Sequence, residues 1–301
     1  MSMRTFLHRL SVVTTLCTMA LFPFSTWAQS VSESPSTSIG GYSRAENEFV
    51  AAVVMRPGTH EILYAYQPDM IHPAASLTKL TNALAFVDGK PNWKKLTTIT
   101  KQDEVGGGRL RVTTREKITI QDLFYSSITS SANNAANALA RVSGKTKAAF
   151  LALMNAKAKQ AGATHTKLVD FSGMNTKNVT TARDMALIGE RAYANPFIQR
   201  AASVPTYHMT IVNTGREKVI KNTNHLLTSA DENDVYVVGG KTGYLVEAGN
   251  NLVVQLRPVL ADGTVETGKD LVVVVFGSQT KEQMFASAKR LAMWGFSKIK
   301  N

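Results

Sequence analysis

The sequence predicts an α/β (α+β) fold: an antiparallel sheet flanked by helices, with a helical subdomain inserted in the middle of the chain. Segments with alternating or continuous apolar residues, typical of strands, lie near both ends. Segments with apolar residues at helical spacing fill the middle, and an amphipathic helix follows the last strand. Strands from both ends must therefore meet in one sheet. We expect a cleft between that sheet and the helical part.

The first predicted element is a hairpin. Residues 49–55 and 61–66 are strand-like and flank an Arg-Pro-Gly-Thr segment that favours a turn. The helices that follow are rich in Ala, Leu, Met or Lys and are predicted at residues 120–127, 131–142, 145–161 and 180–194. The last of them opens with two threonines, which favour capping, and with Asp184 in its first turn.

The later strands complete the predicted sheet. They cover residues 235–241, 251–256 and 271–276, and the turn sequence Ala261-Asp262-Gly263 predicts that the last two form a hairpin. The final helix spans residues 281–296, and we expect its apolar face to pack on the sheet. Weak contact of this basic helix with a membrane surface is the alternative.

The N-terminal residues predict export. Residues 1–28 combine two arginines, an apolar run over residues 10–24 and a small-residue exit, which indicates a secretory signal peptide. An uncleaved anchor is the alternative. Residues 29–45, rich in Ser, Thr, Gly and Pro, are predicted as a flexible leader. Residues 46–301 then form one domain, which we expect in the periplasm.

The net charge and the cysteine and histidine content limit the classes of partner, metal and cofactor that we expect. The formal net charge of +12 suggests an anionic polymer or surface as partner, and no nucleic-acid recognition motif is present. The one cysteine, Cys17, lies in the predicted signal peptide, and the histidines lack zinc-ligand spacing. The sequence therefore predicts no metal and no cofactor. It carries no signal for an oligomeric state.

The segment Ser76-Leu77-Thr78-Lys79 predicts a nucleophile with its base. Residues three apart on a helix share a face, and Pro73 is tolerated in a first helical turn. A lysine in a dry, positively biased pocket has a lowered pKa and can take the proton of a serine hydroxyl. A surface serine beside a solvated lysine is the alternative, since residues 278–281 and 297–300 also spell S-x-x-K.

The segment Ser131-Ala132-Asn133 lies at the junction of two predicted helices. A tight turn there projects Ser131 and Asn133 into a cleft, where the hydroxyl can relay a proton to a leaving amine. The Asn133 amide offers a donor and an acceptor to a substrate amide. Ordinary capping of the following helix is the alternative, and the two roles are compatible.

The segment Lys241-Thr242-Gly243 is predicted on an edge strand beside the cleft. Lys241 and Thr242 can bind a carboxylate, and Gly243 lets a ligand approach the backbone. The backbone N–H of Tyr244 can join that of Ser76 as an oxyanion hole. A lysine at a strand end before a turn glycine is the alternative.

The order and spacing of these three motifs resemble those of the low-molecular-mass penicillin-binding proteins, the D-alanyl-D-alanine carboxypeptidase and endopeptidase family. The resemblance extends over most of the predicted domain and includes the segment Asp170-Phe171-Ser172-Gly173. It implies the DD-peptidase/β-lactamase-like fold. It also implies that Ser76 is acylated, Lys79 is its base, Ser131 relays the proton, and Asn133, Lys241 and Thr242 bind substrate. Peptidoglycan stem peptides are the implied substrates, and β-lactams the implied covalent inhibitors.

Two departures favour the soluble periplasmic endopeptidase branch over the carboxypeptidases. Carboxypeptidase relatives often carry an arginine where Thr223 stands between two asparagines, and no C-terminal β-domain or anchor is expected after the final helix. A carboxypeptidase, a β-lactamase and a non-catalytic binding protein stay as alternatives. A β-lactamase with the S-x-N motif usually has a glutamate, three residues before an asparagine, that activates the deacylating water. Glu190 and Asn195 do not have this spacing. The segment Tyr193-Ala194-Asn195, which also matches a Y-x-N motif, is interpreted as a helix end.

Overall fold

A computed structural model describes residues 44–45, 47–228 and 234–299 of the chain. The predicted signal peptide and nearly all of the predicted leader lie outside these residues, so both stay predictions. In the described part of the chain, no helix is long and apolar enough to cross a membrane.

The described residues contain the following strands and helices. The strands are β1 Ala51–Met55, β2 Ile62–Tyr66, β3 His72–Pro73, β4 Leu96–Thr97, β5 Ile118–Thr119, β6 Val179–Thr180, β7 Thr206–Thr210, β8 Glu217–Lys221, β9 Val235–Leu245, β10 Gly249–Pro258 and β11 Leu271–Ser278. The α-helices are α1 Thr78–Asp88, α2 Ile120–Ile128, α3 Asn133–Val142, α4 Lys147–Gln160, α5 Ala182–Tyr193, α6 Pro196–Ser203 and α7 Lys281–Lys298. Short 3₁₀ turns lie at Ala75–Leu77, Lys101–Asp103 and His225–Leu227.

The main sheet is antiparallel and joins both ends of the chain, as predicted. Its strand order is β2-β1-β11-β10-β9, so β9 forms one edge. In the register of β1 with β11, Val53 lies opposite Val274. The predicted strands and helices are all present, with their ends shifted by a few residues. The strand that carries Lys241-Thr242-Gly243 is therefore an edge strand, as predicted, and α2 to α5 are the helices predicted between the two sets of strands.

Two hydrophobic cores lie on opposite faces of the sheet. Successive side chains of a strand point to opposite faces, so Val53 packs in the core shared with α1 and α5, and Val54 packs in the core beneath α7. In α7, Met284, Phe285 and Leu291 belong to that second core. The apolar face of the final helix thus packs on the sheet, as predicted.

The sequence prediction missed α6 and the β7–β8 hairpin. Asn195 caps α6 by accepting hydrogen bonds from Phe197 N and Ile198 N, and Pro196 follows at the first helical position. The Tyr193-Ala194-Asn195 segment is thus a helix end, because α5 ends at Tyr193. Pro73 was placed wrongly: it pairs with Val179 in the two-stranded β3–β6 sheet, and the helical turn begins two residues later.

Candidate active site

Ser76 and Lys79 meet at the start of α1. Ser76 lies in the 3₁₀ turn Ala75–Leu77, and Lys79 lies one turn further on. The Lys79 Nζ to Ser76 Oγ distance is 2.7 Å. Ala75 has a positive φ of 48°, an uncommon conformation for a residue with a side chain. The chain turns sharply there from β3 into α1 and presents the serine to the cleft.

The Lys79 amine is fully buried and surrounded by acceptors. Besides Ser76 Oγ, it lies 2.7 Å from Asn133 Oδ1 and 2.7 Å from the Ser172 carbonyl oxygen. Burial, together with the positive charge of Lys241, holds the pKa of Lys79 far below its usual range, whereas Asp170 acts in the opposite direction. No carboxylate pairs directly with the amine among the described residues. The sequence-predicted pair is therefore in contact, in the dry environment that was expected.

Ser131 lies in the turn between α2 and α3 and points toward β9. Its φ is +60°, a strained conformation for serine that costs roughly 1–3 kcal/mol. Its Oγ accepts a hydrogen bond of 2.8 Å from Lys241 Nζ. Ala132 is the N-cap of α3, and no side chain caps that helix. Capping therefore does not account for Ser131 or Asn133.

Lys241 is buried behind Ser131 rather than exposed in the cleft. Only 1% of its surface is accessible, and its second contact is the Thr242 carbonyl oxygen at 2.8 Å. Burial lowers the pKa of the Lys241 amine to about 7. Binding of a substrate carboxylate by Lys241 stays a prediction.

The hydroxyl groups of Thr242 and Thr223 form one wall of the cleft. Their Oγ1 atoms are 2.7 Å apart. Thr223 is held by its own backbone N–H, which donates to the Thr129 carbonyl, and by the neighbouring Asn222, whose side chain donates to the Val204 carbonyl. With a threonine at position 223, this wall carries two hydroxyls and no guanidinium.

Gly243 brings β9 against the turn that carries Ser76. A side-chain carbon at position 243 would lie 3.2 Å from the Ala74 carbonyl oxygen and 3.2 Å from Ser76 N. That spacing is tighter than most carbon contacts, so glycine permits the close approach. The backbone of β9 and the backbone N–H of Ser76 are therefore neighbours, as a two-donor oxyanion hole requires.

The cleft has a volume of about 440 Å³ and unites the three motifs. The residues predicted from the motifs that line it are Ser76, Ser131, Asn133, Thr242, Gly243 and Tyr244. Thr223 and Met174 also line it. Lys79 and Lys241 lie beneath this surface, each hydrogen-bonded to one of the lining serines.

The amide of Asn133 ties two parts of the site together. Its Oδ1 accepts from Lys79, and its Nδ2 donates to the Gly106 carbonyl at 2.7 Å. The backbone N–H of Asn133 donates to Gly108. A glycine-rich loop over residues 106–108 is thus fixed beside the cleft by the residue that also orients Lys79. Contact between Asn133 and a substrate amide stays a prediction.

The loop 170–178 supplies contacts that the motifs did not reveal. The Asp170 carboxylate accepts from the backbone N–H groups of Ser172, Gly173 and Asn175 at 2.8, 2.6 and 2.7 Å. This turn aims the Ser172 carbonyl at Lys79. Asn178 donates to the Thr78 hydroxyl at 3.0 Å and thereby anchors the loop on α1. The sequence feature that could have indicated these contacts is the Asp170-Phe171-Ser172-Gly173 segment. Its contact with Lys79 is made by a backbone carbonyl, so the side chains of the segment do not reveal it.

Glu190 lies apart from the cleft. Its carboxylate accepts from Gly58 N at 2.6 Å and contacts His60 Nε2 at 3.0 Å, in the turn between β1 and β2. It lines a different cavity. Glu190, the candidate from the sequence, therefore cannot activate a water for deacylation of Ser76.

The fold and the site define a serine acyl-transfer enzyme of the DD-peptidase type: a serine paired with a buried lysine, a second serine paired with a second buried lysine, and an edge strand beside both. The sequence model of a family described as D-alanyl-D-alanine carboxypeptidase matches residues 41–280. The chain belongs to this family of serine DD-peptidases, as the sequence motifs predicted.

Relatives and solved structures agree with this assignment. A D-alanyl-D-alanine endopeptidase of Escherichia coli K12 is 31% identical over 283 residues, which cover 93% of this chain and 86% of that protein. The structure of a D-alanyl-D-alanine carboxypeptidase from Mycobacterium tuberculosis superposes with a TM-score of 0.73 at 25% identity, covering 88% of this chain and 97% of that one. Penicillin-binding protein D2 of Listeria monocytogenes, in its cefotaxime-bound form, superposes with a TM-score of 0.70 at 27% identity, covering 85% and 100%.

Proposed function

We propose that this protein is a periplasmic DD-endopeptidase, which hydrolyses D-alanyl cross-links between peptidoglycan stem peptides through an acyl-enzyme on Ser76. The observation that carries the proposal is the set of contacts around Lys79. In its neutral form this amine has two hydrogens and one lone pair. Asn133 Oδ1 and the Ser172 carbonyl can only accept, so the two hydrogens point to them and the lone pair faces the Ser76 hydroxyl. The buried lysine is thus oriented as a general base.

Acylation then follows from the geometry. Ser76 Oγ attacks the carbonyl carbon of the D-alanyl residue, and its proton moves to Lys79 Nζ over 2.7 Å. The backbone N–H groups of Ser76 and Tyr244 stabilise the oxyanion. As the C–N bond breaks, the leaving amine takes a proton from Ser131 Oγ, and Lys241 Nζ, 2.8 Å away, replaces it.

Deacylation reverses the proton transfers. Water attacks the ester and gives up a proton, which returns to Lys241 through Ser131, and Lys79 gives its proton back to Ser76 Oγ. The products are the regenerated serine and a carboxylic acid, which loses its proton to solvent and leaves as the carboxylate. A Lys241 pKa of about 7 suits a group that must give and take a proton near neutral pH. β-Lactams acylate Ser76 by the same first step and act as covalent inhibitors.

The wall formed by Thr223 and Thr242 favours a cross-link as substrate. The D-centre beside the scissile amide of a cross-link carries its own carboxylate, which the two hydroxyls and the charge of Lys241 attract. The leaving group is much larger than alanine. A threonine at position 223 leaves room that an arginine would fill. The name of the Escherichia coli relative, a D-alanyl-D-alanine endopeptidase, agrees with this choice.

A DD-carboxypeptidase that removes a terminal D-alanine is the second candidate, because the family description and one solved relative carry that name. A β-lactamase and a non-catalytic penicillin-binding protein are less supported. Glu190 lies away from the cleft, and the full set of motif residues is assembled there.

The test offers cross-linked muropeptide dimers and uncross-linked pentapeptides to the same preparation, with Ser76→Ala as blank. We expect monomers from dimers. Release of D-alanine alone, with the dimers intact, would make the protein a carboxypeptidase.

A variant pair tests the role assigned to position 223. Thr223→Arg should slow dimer cleavage while D-alanine release is kept or raised. Thr223→Val, which loses only the hydroxyl contact, should slow both reactions to a similar extent. Equal loss of both reactions in Thr223→Arg would remove the steric argument.

Sequencing of the exported protein from its N-terminus tests the predicted cut before Gln29.

A further inference from the structure

A separate cavity, which we call the arginine cavity, lies beside the cleft. It has a volume of about 500 Å³, and its charged lining residues are Glu104, Arg109, Arg111, Glu116 and Arg216. The two are neighbours, because Gly108 lines the cleft and the next residue, Arg109, lines the arginine cavity. No residue of the three motifs lines the arginine cavity, so its charges have no part in the proton transfers described above.

The backbone between two of these arginines is held by a buried side chain. Leu110, which lies between Arg109 and Arg111, is itself buried. The Asn134 side chain accepts from Leu110 N at 2.8 Å and donates to the Leu110 carbonyl at 3.0 Å. Because Asn134 is fully buried in the first turn of α3, these hydrogen bonds attach the segment to the core. Both arginines are therefore presented at a defined position.

One pair of charges in the arginine cavity is already neutralised. The Glu116 Oε1 atom accepts from Arg216 Nε and Nη2 at 2.9 and 2.6 Å, and Oε2 accepts from Thr113 N at 2.6 Å. This ion pair joins the segment to the turn of the β7–β8 hairpin. It is structural and leaves little net charge for a ligand.

Three other charged side chains in the cavity have no ion-pair partner. Arg109 and Arg111 are exposed, and their side chains form no hydrogen bond or ion pair with any residue that the structure describes. Glu104 is also exposed, and its carboxylate accepts one hydrogen bond, from Asn134 Nδ2 at 3.0 Å. Two guanidinium groups and one carboxylate are therefore available to a ligand.

These charges fit a ligand that carries both a carboxylate and an ammonium group. A planar guanidinium binds a carboxylate through two parallel hydrogen bonds. The Glu104 carboxylate attracts an ammonium group and repels a purely anionic ligand such as a phosphate polymer. Cleavage of a cross-link releases a suitable end, because the leaving amine lies beside the carboxylate of its D-centre. An amine of this kind is largely protonated at neutral pH.

We propose that the arginine cavity is a second peptidoglycan-binding site, which holds the free D-amino-acid end of an uncross-linked stem peptide. Arg109 and Arg111 bind the carboxylate, and Glu104 binds the ammonium group. A stem peptide held there keeps the protein on the wall while the adjacent cleft acts on a cross-link. The proposal rests on the proposed function only in the choice of stem peptides as ligands, and it involves no bond cleavage.

The experiment is an NMR titration of the Ser76→Ala protein with an uncross-linked muropeptide monomer. Without the nucleophile, the ligand is not turned over. The backbone amide signals of Leu110 and Val112 report on the arginine cavity, which both residues line, and those of Gly243 and Tyr244 report on the cleft. A second ligand is the same monomer with its free amine acetylated, which removes the positive charge and keeps the carboxylate.

The test variant, in the Ser76→Ala background, is Arg109→Gln with Arg111→Gln. Its matched control is Arg115→Gln with Lys117→Gln. The control also removes two positive charges, two residues apart, from exposed positions of the same segment, but neither residue lines the arginine cavity. Changes in net charge therefore affect both variants alike, and only the test variant loses the proposed contacts.

We expect the monomer to shift the Leu110 and Val112 signals, and the test variant to bind it about three- to tenfold more weakly, the range for loss of two exposed ion pairs. The matched control should bind nearly as well as the Ser76→Ala protein. Acetylation of the ligand should weaken binding. Glu104→Gln, which keeps the acceptor for Asn134, should remove the difference between the two ligands.

Shifts confined to the cleft signals, or equal affinities of the test variant and the matched control, would overturn the proposal. Equal binding of the free and acetylated monomers would overturn it as well, because the ammonium group would then have no role. Failure of the active protein to cleave dimers would instead concern the proposed endopeptidase activity and would leave this titration unaffected.

Discussion

Gly173 has a strong structural requirement for glycine. Its φ is +87°, and a side-chain carbon built on it would overlap the Ala75 carbonyl and lie 2.9 Å from Ser76 N. Gly173→Ala therefore combines two costs: an unfavourable backbone conformation and a steric overlap with the turn that carries the nucleophile.

Substitution of Gly268 measures the cost of the backbone conformation without the steric overlap. Its φ is +90°, and nothing lies within 4 Å of the corresponding position. A left-handed conformation costs an alanine about 1–2 kcal/mol, part of which is offset by the lower entropy of the unfolded chain. Gly268→Ala should therefore lose about 1 kcal/mol. Overpacking adds about 1–3 kcal/mol, so Gly173→Ala should lose about 2–4 kcal/mol.

The assays are equilibrium urea unfolding and the rate of acylation by a fluorescent penicillin. Because a shift of about 1 Å in a reacting group can cost about 10²-fold in rate, Gly173→Ala should acylate at least that much more slowly, whereas Gly268→Ala should react normally. Equal stability losses in the two variants, together with normal acylation of Gly173→Ala, would refute the argument that loop 170–178 positions Ser76.

Three further predictions concern charges. Lys241→Gln removes a positive neighbour of Lys79, so the pKa of Lys79 should rise and the acid limb of the acylation pH profile should move to higher pH; a shift to lower pH would contradict the assignment. Asp103→Ala removes a buried carboxylate that accepts hydrogen bonds from the one-third exposed Arg141 and from the Thr100 backbone N–H, and should lower the free energy of unfolding in urea by about 1–3 kcal/mol. Burial lowers the pKa of His72, so the unfolded chain binds the proton more readily; the free energy of unfolding should fall as pH drops through 6.5, and His72→Gln should lose that dependence.

The main sheet and the helical insertion were predictable because their periodicities are strong. The β9, β10 and β11 segments carry continuous apolar runs, and both faces of the sheet are covered. The β7–β8 hairpin was missed because polar residues outnumber apolar ones in both strands, and because residues 217–221, unlike residues 206–210, do not alternate. Asn195-Pro196 is typical of a helix start and indicates α6, but the segment was interpreted only as the end of the preceding helix.

The site was predictable in its side chains and not in its backbone. The three motifs identified six of the residues that line the cleft and the two lysines beneath it, but not Met174 or the loop residues Gly107 and Gly108. The Ser172 carbonyl, which fixes the orientation of Lys79, belongs to a loop distant in sequence and contributes no side-chain chemistry. The burial of Lys241 was also unpredictable, because it depends on how Ser131 and β9 meet in three dimensions.

The central claim is that Ser76 is the nucleophile activated by Lys79. Intact-protein mass spectrometry after benzylpenicillin treatment, followed by peptide mapping, tests it most directly. We predict one adduct of penicillin mass, located on the peptide that contains Ser76, absent from Ser76→Ala and formed far more slowly in Lys79→Ala. An adduct that persists in Ser76→Ala, or one that maps to Ser131, would contradict the account.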